Sequence, residues 1–255
     1  MLLASLNLNS WLVALVLNAI LIGIAQRLPL LTREGWVHAG ILGTILWGCL
    51  GWQGWLAVVG YLVLGSMVTR LGMAEKTRSG LAEARGGRRG PENIWGSAAT
   101  GALLALFIGA GISPSSLLKI GFAASFAAKL ADTFGSEIGK RWGQDAFLIT
   151  TFAPVPRGTD GAISLEGTIA SAIGSLLMTS LMAALYLIPW GIAYLVVAFV
   201  GLVATLLESL VGAVAQNKID WLTNELVNGI QTLIAAFLAM FIMITLDYLF
   251  HFDVI

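Results

Sequence analysis

The stretch Lys129-Leu-Ala-Asp-Thr-Phe-Gly-Ser-Glu-Ile-Gly-Lys-Arg141 ends an apolar segment and carries Lys129, Asp132, Ser136, Glu137, Lys140 and Arg141. An ionisable side chain within a membrane helix costs several kcal/mol unless it is paired, hydrated or liganded. Residues four apart share a helix face. Two such rows turn polar toward the same end: Ala124, Ala128, Asp132, Ser136, Lys140 and Gly121, Ser125, Lys129, Thr133, Glu137, Arg141. Asp132 is the expected Mg²⁺ ligand, because hard cations take carboxylate oxygens together with substrate phosphates. Glu137 is a candidate second ligand or a partner of Lys140 or Arg141. The plainer reading of Lys129 and Asp132 is an ion pair that fixes helix packing.

Two further segments could bind anions. Lys76-Thr-Arg-Ser-Gly-Leu-Ala-Glu-Ala-Arg-Gly-Gly-Arg-Arg-Gly-Pro-Glu-Asn93 combines basic residues with glycines. Glycine lets the backbone approach an anion, and arginine offers forked donors to phosphate. Lys76, Arg88, Arg89 and Asn93 are the candidates within it, Asn93 because it opens a span whose N-terminus favours anions. Any cytoplasmic loop is expected to be basic, which is the competing explanation. The second segment runs from Pro154 to Thr168 and contains the turn Gly158-Thr159-Asp160-Gly161 after Arg157. Its amides could form an anion nest, although no Gly-Lys-Ser/Thr makes it a Walker sequence. Glu208, Gln216, Asn224 and Asn228 are polar groups at membrane-edge positions. For Glu208, interfacial capping is expected ahead of contact with a metal site.

The elements that must hold these residues are membrane helices. Hydrophobic residues make up 58% of the 255 residues and charged ones 11%, against about 25% charged in soluble domains; mean hydropathy is +0.87. The fold class read from this is an all-α, polytopic membrane helix bundle, a single integral membrane domain over 1–255. A bilayer takes about 20 apolar residues per span, and eight candidates follow: 8–26, 36–52, 54–72, 94–113, 116–139, 165–188, 190–208 and 226–250. Pro29, the Gly51–Gly54 turn, Ser113-Pro114 and Pro189 separate neighbours. The N-terminus lacks the basic region of a secretory signal and reads as the first, uncleaved span. With it outside, twelve of the fourteen Lys and Arg residues, Lys218 among them, fall on the cytoplasmic side. Trp36, Trp95, Trp142 and Trp221 then mark the inner interface, and Trp11, Trp52, Trp55 and Trp190 the outer one. The candidate site therefore faces the cytoplasm. The rows Ser97, Gly101, Ala105, Gly109 and Gly167, Ser171, Ser175, Thr179 read as close helix packing.

Several chemistries find no residues here. Cys49 stands alone, which precludes an intrachain disulfide. His38 and His251 lie at opposite ends of spans, so neither a histidine-based nucleophile triad nor a histidine–cysteine metal cluster is expected. Net charge is zero, and no basic-aromatic surface suits nucleic acid. A homodimer stays open.

The chain resembles the integral membrane family that includes the plant and cyanobacterial phytyl-phosphate kinase. The resemblance runs through Thr69–Lys76, the Gly-Arg-Arg-Gly run ending at Asn93, Ala131–Gly139, Arg157–Gly167, Ser209–Gln216 and Asn224–Asn228. More distantly it is similar to CTP-dependent dolichol and phytol kinases and to phosphatidate cytidylyltransferases. It implies that Asp132 and the 157–167 loop hold a Mg²⁺-nucleotide. It further implies transfer of the terminal phosphoryl group of CTP, or another nucleoside triphosphate, to phytyl phosphate, giving phytyl diphosphate for tocopherol and phylloquinone synthesis. The resulting site is Asp132, Lys129 and Lys76 as catalytic groups and Asp132 and Glu137 as metal ligands. Arg88, Arg89, Asn93, Ser136, Lys140, Arg157, Gly158, Thr159, Asp160 and Gly161 take the nucleotide and phosphates. A prenyl alcohol kinase, a lipid-phosphate cytidylyltransferase and a transporter with Lys129 and Asp132 as an ion relay are the alternatives. The membrane is the cell inner or thylakoid membrane for a cyanobacterial chain.

Overall fold

The computed structural model describes residues 8–216, 219 and 221–250; Lys218, His251 and the first seven residues fall outside them. The chain is a bundle of helices α1 (Leu8–Ala25), α2 (Arg33–Arg70), α3 (Met73–Arg78), α4 (Pro91–Gly109), α5 (Ser115–Trp142), α6 (Leu165–Ala184), α7 (Ile192–Val211) and α8 (Asn224–Phe250). A small antiparallel pair, β1 (Phe147–Leu148) and β2 (Ala162–Ile163), ties off the segment between α5 and α6.

Although continuous in hydrogen bonding, α2 is not one rod. Straight, its 38 residues would reach about 57 Å. Instead Arg70, at its far end, hydrogen-bonds the carbonyl of Pro29, just before its start. The reversal sits at Gly51, with φ 70° and ψ −167°, a conformation open in practice only to glycine. The two halves are therefore antiparallel spans, as the sequence predicts. With α1, α4, α5, α6, α7 and α8 they give helical segments at the positions of the eight expected spans.

On length and composition alone, α2, α6, α7 with its continuation to Gln216, and α8 suffice to cross a membrane. α5 is not among them, because Lys119, Lys129 and Asp132 interrupt its apolar stretch and its last turns are charged. It occupies the middle of the bundle, in contact with α2, α4, α6, α7 and α8. Ile120, Phe122, Ala123, Ala124, Phe126, Ala127, Ala128 and Leu130 are completely buried around its whole circumference. A helix hydrophobic all round is a buried helix, and here five neighbours replace lipid. The outer helices keep Leu195, Phe199, Phe237 and Phe241 exposed, where acyl chains would cover them.

Burying one apolar surface against another gains little over lipid, so such bundles rest on close packing and internal hydrogen bonds. The row on α6 works this way. A methyl group on Gly167 would stand 3.0 Å from the Gly135 carbonyl, and one on Gly174 2.8 Å from that of Leu130. Ser175 Oγ donates to the Ala198 carbonyl on α7 at 2.7 Å. On α4, Gly101 receives the ring of Phe126 and Gly109 receives Cys49.

Replacing Gly51 by alanine forces an L side chain into that backbone conformation. Gly51→Ala should destabilise the detergent-purified protein by about 1–3 kcal/mol, measured by thermal unfolding. An unchanged transition would show that the hairpin turn tolerates a side chain.

Candidate functional site

The polar half of α5 opens into a cavity of about 340 Å³. Its wall combines α5, the basic segment before α4, the β1–β2 segment, the end of α7 and the start of α8. Of the residues expected from sequence, Lys129, Asp132, Ser136, Glu137, Lys140, Arg88, Arg89, Asn93, Arg157, Gly158, Thr159, Asp160 and Gly161 all line it. Lys76 does not.

Lys129 sits at the midpoint of α5, 6% exposed, and forms an ion pair with Asp132 one turn along. Its ammonium also donates to Asn228 Oδ1 on α8 at 2.8 Å. The packing ion pair and the cavity-lining group are thus the same residues. Asp132 keeps about 15% of its side chain exposed, toward the cavity. Asn228, read from sequence as a membrane-edge group, is a buried partner of the central lysine.

Lys76 lies behind the wall. Its ammonium, 1% exposed, is shared between Glu137 and the Thr69 carbonyl. The Glu137 carboxylate that the sequence offers as a metal ligand is therefore engaged by a lysine, and Lys76 acts on the cavity only through it. Two more bridges repeat the pattern one turn on. Lys140 Nζ meets Glu83 at 2.6 Å, and Arg141 Nη1 meets Glu75 at 2.6 Å. These three pairs strap α3 and the following segment across the end of α5. Burial pushes the Glu83 carboxyl upward, but the charge and hydrogen bond of Lys140, together with the charges of Lys129 and Arg89, hold it below the ordinary glutamate value.

Asn93 serves as a junction. Its Oδ1 accepts from the Gly90 amide at 3.0 Å and from Arg85 at 3.1 Å, and its Nδ2 donates to Glu225 of α8 at 3.1 Å. The expected role at a helix N-terminus becomes one of capping and cross-linking. In the Gly158–Gly161 turn, the Thr159 amide bonds the Pro156 carbonyl, so that donor is committed to the turn rather than to a nest. Gly161 has φ 76°, and a methyl group there would stand 2.6 Å from Ser209 O on α7; only glycine lets the turn dock so closely. Arg157 reaches back to the Arg141 carbonyl at 3.3 Å.

Glu208 corrects the capping expectation. It lines the cavity and lies within electrostatic reach of Asp132, Lys129 and Asp160. Tyr61, Ser97 and Glu83 also line it and had no signal in the sequence, because each follows from a helix or loop folding back from elsewhere. Among the described residues no group of three or more His, Cys, Asp or Glu forms a ready-made metal cage. The donor set fits magnesium nonetheless, since that ion is ordinarily held by one or two carboxylates plus substrate phosphates.

Two measurements test this architecture. Removing one member of a buried ion pair leaves an unpaired charge worth about 3–5 kcal/mol; Lys76→Met should show that loss in thermal unfolding, and adding Glu137→Leu should recover most of it. Additive losses would mean the pair is not a unit. The Glu83 carboxyl is depressed in the fold, so its contribution is complete above the unfolded value and fades as pH falls through the lower folded one. Hydrogen-exchange protection of residues 79–90, corrected for the intrinsic rate at each pH, should accordingly be high at neutral pH, fall in acid, and in Glu83→Gln be low at both; equal protection in the variant would remove the strap.

The architecture has relatives. A membrane protein of Synechocystis sp., uncharacterised in function, is 49% identical over 233 residues, 90% of both chains. The chloroplast protein VTE6 of Arabidopsis thaliana is 40% identical over 216 residues, 82% of this chain and 64% of its own length. An uncharacterised membrane protein of Methanocaldococcus jannaschii is 32% identical over 235 residues, 92% of this chain and 94% of its own. No solved structure matches. The family described as "Integral membrane protein DUF92" matches residues 16–236, which include every wall of the cavity: this chain belongs to that family and is a multi-pass membrane protein.

Proposed function

We propose that the protein is a prenyl-lipid phosphate kinase, transferring the terminal phosphoryl group of CTP or another nucleoside triphosphate to phytyl phosphate. The observation that carries this reading is one cavity where a membrane-embedded Lys129–Asp132 pair faces two arginine- and glycine-bearing segments. Membership of the family supports it, since the resemblance read from sequence associates that family with phytyl-phosphate kinase chemistry.

The chemistry suits these residues. A phosphate monoester has a second pKa near 6, so the acceptor is anionic at pH 7 and needs no strong base. Among the described residues that line the cavity there is no histidine or cysteine. The difficulty is to bring two anions together, which positioning and charge neutralisation address. Asp132, with Glu208 also in the cavity wall, would hold Mg²⁺, which would supply charge neutralisation for the phosphates. Lys129 balances charge at the buried end, and Lys140, Arg88 and Arg157 do so at the open end. An acceptor phosphate oxygen attacks the terminal phosphorus and forms the new P–O bond. The bond to the bridging oxygen breaks, and its electron pair leaves on the nucleoside diphosphate. The isoprenoid tail stays between spans and the cavity faces the cytoplasm.

Purified protein with phytyl phosphate, CTP and Mg²⁺ should yield phytyl diphosphate and CDP, identified by mass spectrometry. Release of pyrophosphate with a CDP-lipid would assign cytidylyl transfer, and use of phytol alone would assign an alcohol kinase. Asp132→Asn should lower kcat by at least about 10²-fold, the loss typical of one electrostatic transition-state contact, measured on the fraction shown to be folded, since the change also leaves Lys129 without its carboxylate. A fully active variant refutes its role.

A further inference from the structure

The basic residues of the cavity differ in depth and in what neutralises them. Lys129, Lys140 and Arg85 each have a carboxylate partner in Asp132, Glu83 and Glu92. Among the described residues Arg88, Arg89 and Arg157 make no ion pair, and of these three Arg89 is the one held against an aromatic side chain. Its Nη1 donates to Tyr61 Oη at 2.7 Å, and the guanidinium carbon lies 5.1 Å from the Tyr61 ring centre. A half-buried guanidinium with only a phenol for company retains donors for an anion.

Arg89 is also held at a defined level. Its amide donates to the Leu30 carbonyl at 3.1 Å, and its carbonyl accepts from Thr32 N–H at 3.1 Å, at the entry to α2. A methyl group on Gly35 would stand 2.6 Å from the Arg89 carbonyl oxygen, and one on Gly65 2.6 Å from Arg89 Nη2. The residue is gripped between both halves of α2, its contact Gly35 being next to Trp36 in the chain. Trp95 joins the same layer by donating to His38 Nδ1 at 2.9 Å. Trp36 and Trp95 are the tryptophans expected at the inner membrane interface, the headgroup level of a bilayer. Below the guanidinium, Tyr61 is 4% exposed and rests edge-on against Phe126, 5.7 Å between ring centres. Ser97, on the second turn of α4, shares this wall. The site is therefore polar above and aromatic below. Lys140 lies eleven residues beyond Lys129 on α5, about 16 Å along the axis, and Arg157 is held in the segment after α5.

We propose that Arg89, Tyr61 and Ser97 form the subsite for the phosphate of the lipid acceptor, and that the nucleotide's phosphates occupy the open end bounded by Lys140, Arg157 and the Gly158–Gly161 turn. This division rests on the kinase reading above. A phosphate monoester on a hydrophobic tail places its charge at the headgroup layer and its chain in the bilayer, which is where Arg89 stands. A nucleotide enters from water and meets the loop cations first.

The test uses full-length protein in lipid nanodiscs, with phytyl phosphate and CTP varied in turn. Losing a charge-assisted phosphate contact is worth a KM change on the order of tenfold or more. Arg89→Gln should raise the KM for phytyl phosphate by that factor and leave the KM for CTP within about twofold. Tyr61→Phe keeps the ring and removes only the hydroxyl that orients the guanidinium, so it should move the lipid KM the same way by about threefold. A rise confined to the CTP KM, or no change in either, overturns the assignment. Should Arg89→Gln not fold, Tyr61→Phe decides by the same comparison. A second arm needs no turnover: equilibrium binding of phytyl phosphate against phytol, without nucleotide. The unmodified protein should prefer the phosphate, and Arg89→Gln or Tyr61→Phe should lose that preference; an equal preference in the variants overturns the subsite. If no acceptor yields product with the unmodified protein, the kinase reading fails, and this binding arm still decides whether Arg89 holds a lipid phosphate.

Discussion

The buried pairing of Lys129 with Asp132 sets the terms for everything around it. A lysine at the midpoint of a membrane helix is tolerable only if lipid never reaches it. Five helices therefore surround α5, and Asn228 arrives from α8 to take a further donor of the ammonium. The same enclosure reaches the backbone: Gln231 of α8 and Thr205 of α7 both donate to the Ala128 carbonyl. Polar groups from three helices meet around one turn, and the cavity begins where that turn reaches water.

From there outward the construction is electrostatic. Lys76–Glu137, Lys140–Glu83 and Arg141–Glu75 join one helix end to a segment that would otherwise lie free in solvent. Exposed pairs contribute little one by one, but the innermost is almost wholly buried, and the outer two share its backbone. The result is a basic segment with a fixed position rather than a generic positive-inside loop. Position is what the proposed phosphoryl transfer would require, because its reactants need alignment and charge balance more than proton transfer.

The residues of α5 were legible in the sequence because helical periodicity alone places Asp132, Ser136 and Lys140 on one row and Lys129, Thr133 and Glu137 on the next. The hairpin at Gly51 was legible too, through the glycines between two apolar runs. Other features had no local signal. Glu208 looks like any carboxylate near a helix end until α7 is laid beside Asp132. Lys76 resembles its basic neighbours until Glu137 draws it under the wall. Tyr61 is one aromatic residue in an apolar span, and only Arg89, twenty-eight residues away in sequence, makes it part of a site.

Composition, apolar run length and turn residues by themselves determined a multi-pass helical bundle, the placing of its long helical segments and the clustering of charge at one end. These are properties of each segment against lipid or water, and a segment carries them wherever it packs. Which carboxylates face the cavity, which lysine is sealed behind it and which arginine is held against Tyr61 were decided only by the tertiary structure. Those outcomes depend on distances between residues far apart in the chain, where a shift of one helical turn would exchange one partner for another.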